Sequence, residues 1–368
     1  MADAFVAMPT YRRQAWLRLK ENYAAVAALA VLAVLVVFCL LGPLCTGHAY
    51  DRVYPDYVRE PASLALHPGA DRLTPAIERI AQRMRVRCEG ISYQDDRFRL
   101  TLVGTRAIDE RNLVLFERSD LFGPVTVLSR SDDNRILVVE GHFERRRFLF
   151  GTDSNGRDLL TRTMVAGRVS LAIGILASLV ALVIGVAYGA ASGYAGGRID
   201  MVMMRIVDIL YALPFIFFVI LLVTLFGRNF LLMFMAVGAI EWLDMARIVR
   251  GQTLTLKRQE FVQAAEAMGV ETMDILRRHI IPNLLGPVIV FVTLLVPKVI
   301  LLESFLSFLG LGIQEPMTSL GVLIAEGAKS IQGASYLLVC PASVLILLLL
   351  ALNFIGDGLR DALDPRDR

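Results

Sequence analysis

The chain contains no GxxxxGK(S/T) phosphate loop, so it lacks the usual cradle for holding and splitting ATP. Its four cysteines, Cys39, Cys45, Cys88 and Cys340, show no metal-ligand spacing, and three lie in or beside apolar runs. A Cys45–Cys88 disulfide stays open if that region faces an oxidising compartment. His48, His67 and His142 are scattered and read as solvated side chains, and no nucleophile–base pair stands out among residues 48–150. The formal net charge is only +3 over 368 residues, so the basic excess of a nucleic-acid-binding surface is missing. What the chain has in excess is apolarity. It is 55% hydrophobic, with a mean hydropathy of +0.57, against about 45–50% apolar residues in ordinary soluble domains.

That excess is packed into runs long enough to cross a bilayer, for which about 20 apolar residues suffice. Residues 1–22 are polar and carry Arg12, Arg13, Arg18 and Lys20; residues 23–45 form the first apolar run. A cleaved signal peptide competes with a span here, but its apolar part is usually only about 7–15 residues, and no clean small-x-small site follows. The run therefore reads as a retained span whose basic N-terminal side lies in the cytoplasm. Five further spans are predicted at 171–188, 201–226, 230–245, 285–308 and 336–356, with a glycine-rich turn at 189–200 and a kink at Pro214. Six spans place both termini, including the tail 357–368, in the cytoplasm. Arg198, Arg205, Arg247, Arg250, Lys257, Arg258, Arg277 and Arg278 then lie at or in inner loops, against Arg228 alone on a short outer loop.

Residues 46–150 change character. A helix is predicted over 74–85, with Ile77, Ile80, Ala81 and Met84 on one face. Short β-type runs follow at 98–103, 113–117, 125–129 and 136–139, separated by turn signals at Gly104, Gly123-Pro124 and Asp132-Asp133-Asn134. The segment reads as a small α+β domain inserted outside the membrane, since long translocated segments are exempt from the positive-inside bias. After it, Thr152, Asp153, Ser154, Asn155 and Gly156 make a tight turn inside an outer interfacial motif of Gly151, Thr152, Asp153, Gly156, Arg157 and Asp158, with Arg157, Arg162 and Arg168 interspersed along the segment that follows. Residues 151–170 are expected to continue as an amphipathic interfacial helix on the outer leaflet, ahead of a five-helix core over 171–356.

Residues 260–283, EFVQAAEAMGVETMDILRRHIIPN, are polar between two apolar runs. A short helix over 260–268 sets Phe261, Ala264, Ala265 and Met268 on one face, and Gly269 closes it. A second helix starts near Thr272 as N-cap, and Pro282 stops or kinks it. A small-residue face of this kind admits a groove on another protein. The bland reading is an amphipathic connector between spans.

The same stretch resembles the cytoplasmic coupling loop of ABC-transporter permeases, a Glu-Ala-Ala, glycine, spacer, proline pattern. Gln263 here stands at the family's glutamate. The run GTDSNGRDLLTR before a span and the tail GDGLRDALDPRDR are similar to the C-type permeases of oligopeptide and dipeptide ABC importers. The resemblance covers about 150–368 and leaves the 48–150 insertion outside it. It implies an α-helical integral membrane protein of the type I ABC importer permease fold, with about six spans and the inserted α+β extracytoplasmic domain, in a bacterial inner membrane. It implies a second homologous permease subunit, two ATPase subunits that bind the ATP and Mg, an extracytoplasmic peptide-binding protein and surrounding lipid, with no cofactor on this chain and no nucleic acid. Glu260, Phe261, Gln263, Ala264, Ala265, Met268, Gly269 and Pro282 would meet the ATPase.

Ionisable groups inside spans are costly and so are functional candidates. Arg205 and Asp208 read as a local pair on one helix face. Lys298 and Glu303 are candidates for the translocation path; Lys298 reads otherwise as a structural pair with another span or as a snorkelling group. Glu241 and Asp244 read as solvated at a cytoplasmic helix end. A membrane-embedded enzyme would need a His/Asp/Glu or Ser/Lys constellation at one depth, and a scaffold would put its working part in the insertion; neither pattern stands out.

Overall fold

The computed structural model describes residues 16–94, 96–227 and 230–363. Arg12, Arg13 and Arg228, named above, lie outside them. The chain divides into a helical unit of Met1–Thr46, Thr163–Ser330 and Leu338–Arg368, and a sheet unit of Gly47–Arg162 with Ile331–Leu337.

In the helical unit, helix α1 (Tyr23–Cys45) starts where the Asn22 side chain accepts the Ala25 N–H at 3.1 Å. Pro43 sits inside α1 and has no N–H for the carbonyl of Cys39 one turn back. Arg168, from the helix that follows the sheet unit, donates from Nε to that carbonyl and from Nη2 to the Leu40 carbonyl. The two helices come close because Gly42 faces Met164 and Gly167 faces Cys39, with no room for a Cβ at either glycine.

In the sheet unit, helix α2 (Ala70–Met84) buries Ile77, Ile80, Ala81 and Met84 as its periodicity requires. Strands β1 (Val86–Gln94), β2 (Arg97–Gly104), β3 (Thr126–Arg130) and β4 (Ile136–His142) pair antiparallel in the order β1-β2-β4-β3. Phe98, Leu100 and Leu102 alternate inward with Arg97, Arg99 and Thr101 on the other face. They meet Leu137, Val139 and a cluster of Tyr54, Tyr57, Phe116, Phe122, Phe143 and Phe148. The strand expected at 113–117 is absent: Asp109 accepts the Arg111 N–H and winds 110–117 into helical turns. Strand β1 has no counterpart among the predicted elements, because Arg87, Glu89 and Gly90 break it up before any apolar run can form.

Beyond the sheet unit, helix α3 (Leu159–Ala195) runs 37 residues without a break, so no separate interfacial helix occupies 151–170. Helices α4 (Gly197–Ala212) and α5 (Phe215–Phe226) replace the single kinked span expected over 201–226. They bend by 81°, because the residue before a proline is pushed out of helical geometry, and Leu213 is extended (φ −73°, ψ 127°). Helices α6 (Phe230–Lys257), α7 (Glu260–Ala267), α8 (Thr272–Phe308), α9 (Leu320–Lys329) and α10 (Tyr336–Leu363) follow. Ile173, Ala177 and Ala181 of α3 pack with Val219, Val237, Leu295 and Val299 into one core.

Among the described residues, four helices are long and apolar enough to span a membrane, or five with the bent pair. Helix α6 falls outside that count because it carries Glu241, Asp244, Arg247 and Arg250. Only 17% of the most apolar window of α1 is buried within the chain, so the rest of that surface is apolar and open to lipid or another protein. Cys45 and Cys88 are both free thiols. Burial, and then Glu78, push Cys88 up to about 11, which keeps it a protonated, poorly reactive thiol at neutral pH.

Arg168→Met removes both donors to the α1 carbonyls while keeping the aliphatic stem. We expect a loss of about 1–3 kcal/mol, read as a lower Tm of the detergent-purified protein and faster proteolysis within α1, with Arg168→Lys intermediate. An unchanged Tm would mean that the Cys39 carbonyl finds another donor.

Candidate functional site

Three places carry the residues singled out by sequence. The first is the turn 151–158, which is buried. Asp153 Oδ1 accepts the N–H groups of Asn155 and Arg157, each at 2.8 Å, and its Oδ2 accepts Arg157 Nε at 2.8 Å and Arg162 Nη1. Asp158 caps α3 by accepting the Thr161 N–H at 2.8 Å. Thr152 ties the turn to a segment about ninety residues earlier in the chain: its N–H donates to the Glu60 carbonyl at 2.9 Å, and its hydroxyl accepts the Glu60 N–H at 2.8 Å. Gly156 takes φ +82° directly against the Tyr54 backbone, and Gly151 takes φ +78° against Glu60, so neither position tolerates a Cβ. The expected amphipathic surface is therefore a buried, densely hydrogen-bonded turn within the sheet unit. Arg157 and Arg162, read as interspersed along that surface, are 6% and 1% exposed.

The second place is 260–283. Helix α7 is closed by Gly269 at φ +73°, with the Val270 N–H reaching back to the Ala265 carbonyl at 3.1 Å. Its faces differ from the expected ones. Val262 and Ala265 are buried against Ala190, Tyr194, Val249, Ile275 and Ile280. Phe261, Ala264 and Met268 point away, together with Glu260, Gln263 and Gly269. Ala265 is thus a core residue. Tyr194 ties α7 down through its hydroxyl, which donates to Glu266 at 2.8 Å, while its carbonyl accepts Lys257 Nζ, at the end of α6, at 2.6 Å. Thr272 is the first residue of α8 and not its N-cap; Glu271 holds that position without a side-chain bond. Pro282 neither stops nor breaks α8. A π-turn over Leu276–Ile280, in which the Ile281 N–H bonds the Leu276 carbonyl, precedes it and absorbs the missing donor.

The third place is the set of charges inside helices. Lys298 Nζ lies 2.7 Å from Glu241 Oε2 and 3.0 Å from Asp244 Oδ2, both on α6. Glu241 and Asp244 are therefore paired and not merely solvated. The Lys298 side chain is 52% exposed and Glu241 6%. Two carboxylates and one ammonium leave a formal excess of one negative charge, on a stripe of α8 that also exposes Leu301, Phe305 and Phe308. Glu303 shares no contact with Lys298 and faces no open path; it is fully buried and accepts from the hydroxyls of Ser170, Ser307 and Ser319. Asp208 pairs with Arg247 of α6 at 3.0 Å in place of Arg205. Asp200 takes a two-pronged bond from Arg250 at 2.6 Å and 2.6 Å. No local sequence pattern signals these helix-to-helix pairs.

The pattern of the family described as "Binding-protein-dependent transport system inner membrane component" matches residues 165–368. That of the "N-terminal TM domain of oligopeptide transport permease C" matches 10–66. Neither reaches 67–164, which holds the whole sheet. The oligopeptide transport system permease protein OppC of Escherichia coli (strain K12) is 61% identical over 231 residues, 63% of this chain and 74% of that protein. The dipeptide transport system permease protein DppC of Bacillus subtilis (strain 168) is 48% identical over 220 residues, 60% of this chain and 69% of that one. A solved structure of the MetNI methionine ABC transporter in an inward-facing conformation covers 55% of this chain and 96% of its own, at 18% identity and a TM-score of 0.46. With more than half of its length matched by the first family, and with spans of the apolarity that a permease requires, this chain has the type I ABC importer permease fold and belongs to the binding-protein-dependent transport system inner membrane components.

Proposed function

We propose that this chain is the permease subunit of an ATP-driven peptide importer in a bacterial inner membrane, and forms half of the translocation path beside a second, homologous permease. Two ATPase subunits, which bind the ATP and Mg, seat on 260–283, and an extracytoplasmic binding protein delivers the peptide. The chain itself does no chemistry on the substrate. The observation that carries this reading is the 61% identity to a protein named for oligopeptide transport. The residues support it. Phe261, Ala264 and Met268 make an exposed apolar face on a helix held from behind by Val262, Ala265 and Tyr194, as a docking helix needs. Arg258, Arg277 and Arg278 flank that face and favour the cytoplasmic side, with both termini on the same side and the sheet unit outside.

The reading is tested by co-expression with candidate ATPase and permease partners, co-purification, and ATP-dependent uptake of labelled peptides by membrane vesicles. Within that assay, Ala264→Arg puts a bulky charge on the outer face of α7. It should abolish uptake and loosen the ATPase while leaving the inserted protein at its normal level. Ala265→Arg strikes the core behind the helix and should lower the amount of folded protein instead. Normal uptake with Ala264→Arg would remove α7 from the coupling surface.

The Lys298–Glu241–Asp244 group supports a water- or protein-facing wall, because a half-exposed triad of charges facing lipid carries a heavy penalty. Its net sign is negative, so we assign it a preference for peptide cations over peptide carboxylates. Lys298→Met deepens that sign. It should raise the ratio of lysine-rich to glutamate-rich peptide uptake, at a stability cost of about 1–3 kcal/mol. That cost is below the ~3–5 kcal/mol of a fully buried pair because Lys298 is half exposed. Adding Glu241→Gln should return both the ratio and the stability towards the starting protein. An unchanged ratio would leave the triad a structural clasp only.

A further inference from the structure

Glu303 is unlike the other acids in the described helices: it is wholly buried, and it accepts from three serine hydroxyls. The three hydroxyls come from three places. Ser307 is one turn along α8 and donates to Oε1 at 2.7 Å. Ser319, the N-cap of α9, donates to the same oxygen at 2.6 Å. Ser170 of α3 donates to Oε2 at 3.3 Å. Two of these hydroxyls also serve the first turn of α9. Ser319 Oγ accepts the Val322 N–H at 3.3 Å, and Ser170 Oγ accepts the Leu320 N–H at 3.1 Å. A hydroxyl has one proton to give. When Glu303 takes it, the lone pairs turn to the otherwise orphaned amides of the helix start. The carboxyl therefore aims both caps. The chain between α8 and α9 and the first turn of α9 lie tight against this part of α8: a Cβ on Gly312 would clash with Ser307, and one on Gly321 with the Ser304 backbone. Hydroxyl-to-carboxyl bonds exchange for water more cheaply than a buried ion pair separates.

We propose that Glu303 is a positioning residue that seats a strap, residues 309–319 with α9, on the α3–α8 pair, and that transport requires this seat. The second half of the proposal rests on the permease reading above; the first does not. The test is amide hydrogen exchange on the complete transporter in lipid nanodiscs, with ATP hydrolysis and peptide uptake measured on the same preparations. Glu303→Leu should speed exchange at the start of α9 about tenfold, the factor for some 1.4 kcal/mol of local opening. Exchange in the flanking parts of α3 and α8 should stay as it was. Glu303→Gln keeps an acceptor oxygen for Ser307 and Ser319 and should restore protection. Ser319→Ala, which leaves the carboxyl in place, should show a smaller version of the Leu effect and serves if Glu303→Leu does not assemble. Uptake should be lost with Glu303→Leu while ATP hydrolysis continues, and should return with Gln. Exchange unchanged at α9, or raised equally along α8, would overturn the seating; a loosened strap with normal uptake would overturn its role in transport. Absence of ATP-driven uptake in the unmutated complex would sink the permease reading and leave the exchange result standing.

Discussion

Hydrocarbon supplies no hydrogen bonds, so every polar group carried into a span has to be satisfied by the protein itself. Much of the helical unit is arranged by that demand. Pro43 opens a carbonyl in α1, and Arg168 closes it, which also fixes which face of α1 lies on α3. Lys298 enters mid-helix on α8, and α6 presents two carboxylates at the matching height. Asp200 is held by both Arg250 and Ser192, the latter at 2.6 Å, so the start of α4 is tied to α6 and to the end of α3. Each pair is costly to strand and so acts as a register mark between helices that are otherwise greasy and free to slide.

Residues 260–283 use the opposite device. Their inner face is small and apolar, and their outer face is left unfilled. Burying Val262 and Ala265 takes little area, so α7 would be weakly held by packing alone; the Tyr194 hydroxyl adds a bond to Glu266 of α7, and its carbonyl holds Lys257 at the end of α6. The outward Phe261 and Met268 are then large apolar groups on a well-positioned helix, a state that is unfavourable in water and favourable under a partner.

How much of this was legible in the sequence differs by range of interaction. The long apolar runs, the helix closed by Gly269 and the alternation in β2 and β4 are local patterns, and the structure has them. The 81° turn between α4 and α5 was visible as Pro214 but not in its size. The 113–117 run looked like a strand because its apolar residues carry no helical period, and a single Asp109 cap decided otherwise. The sequence pattern places Ala265 on the outward face with Phe261 and Met268 and it is instead core, since an alanine suits a core and a docking surface equally well. The partners of Lys298, Asp208, Thr152 and Glu303 lie between four and more than a hundred residues away, and only folding brings most of them together. The turn 151–158 was recognisable as a motif, yet its burial depends on the 54–60 segment, which no local pattern links to it.

Helices α3 and α8 both run from α7 to Glu303. Ser170, beside Glu303, and Tyr194, beside α7, both lie on α3, about 36 Å apart at 1.5 Å per residue. No proline interrupts the helix between them, and its glycines, Gly174, Gly185, Gly189 and Gly193, leave the backbone donors in place. Helix α8 also touches both places, through Ile275 and Ile280 at one end and Glu303 towards the other. It reaches them through a π-turn and then Pro282, Pro287 and Pro297, each of which removes a backbone donor and softens the ladder. Helix α3 therefore joins the two places through a ladder with every backbone donor present, and α8 through one with donors missing.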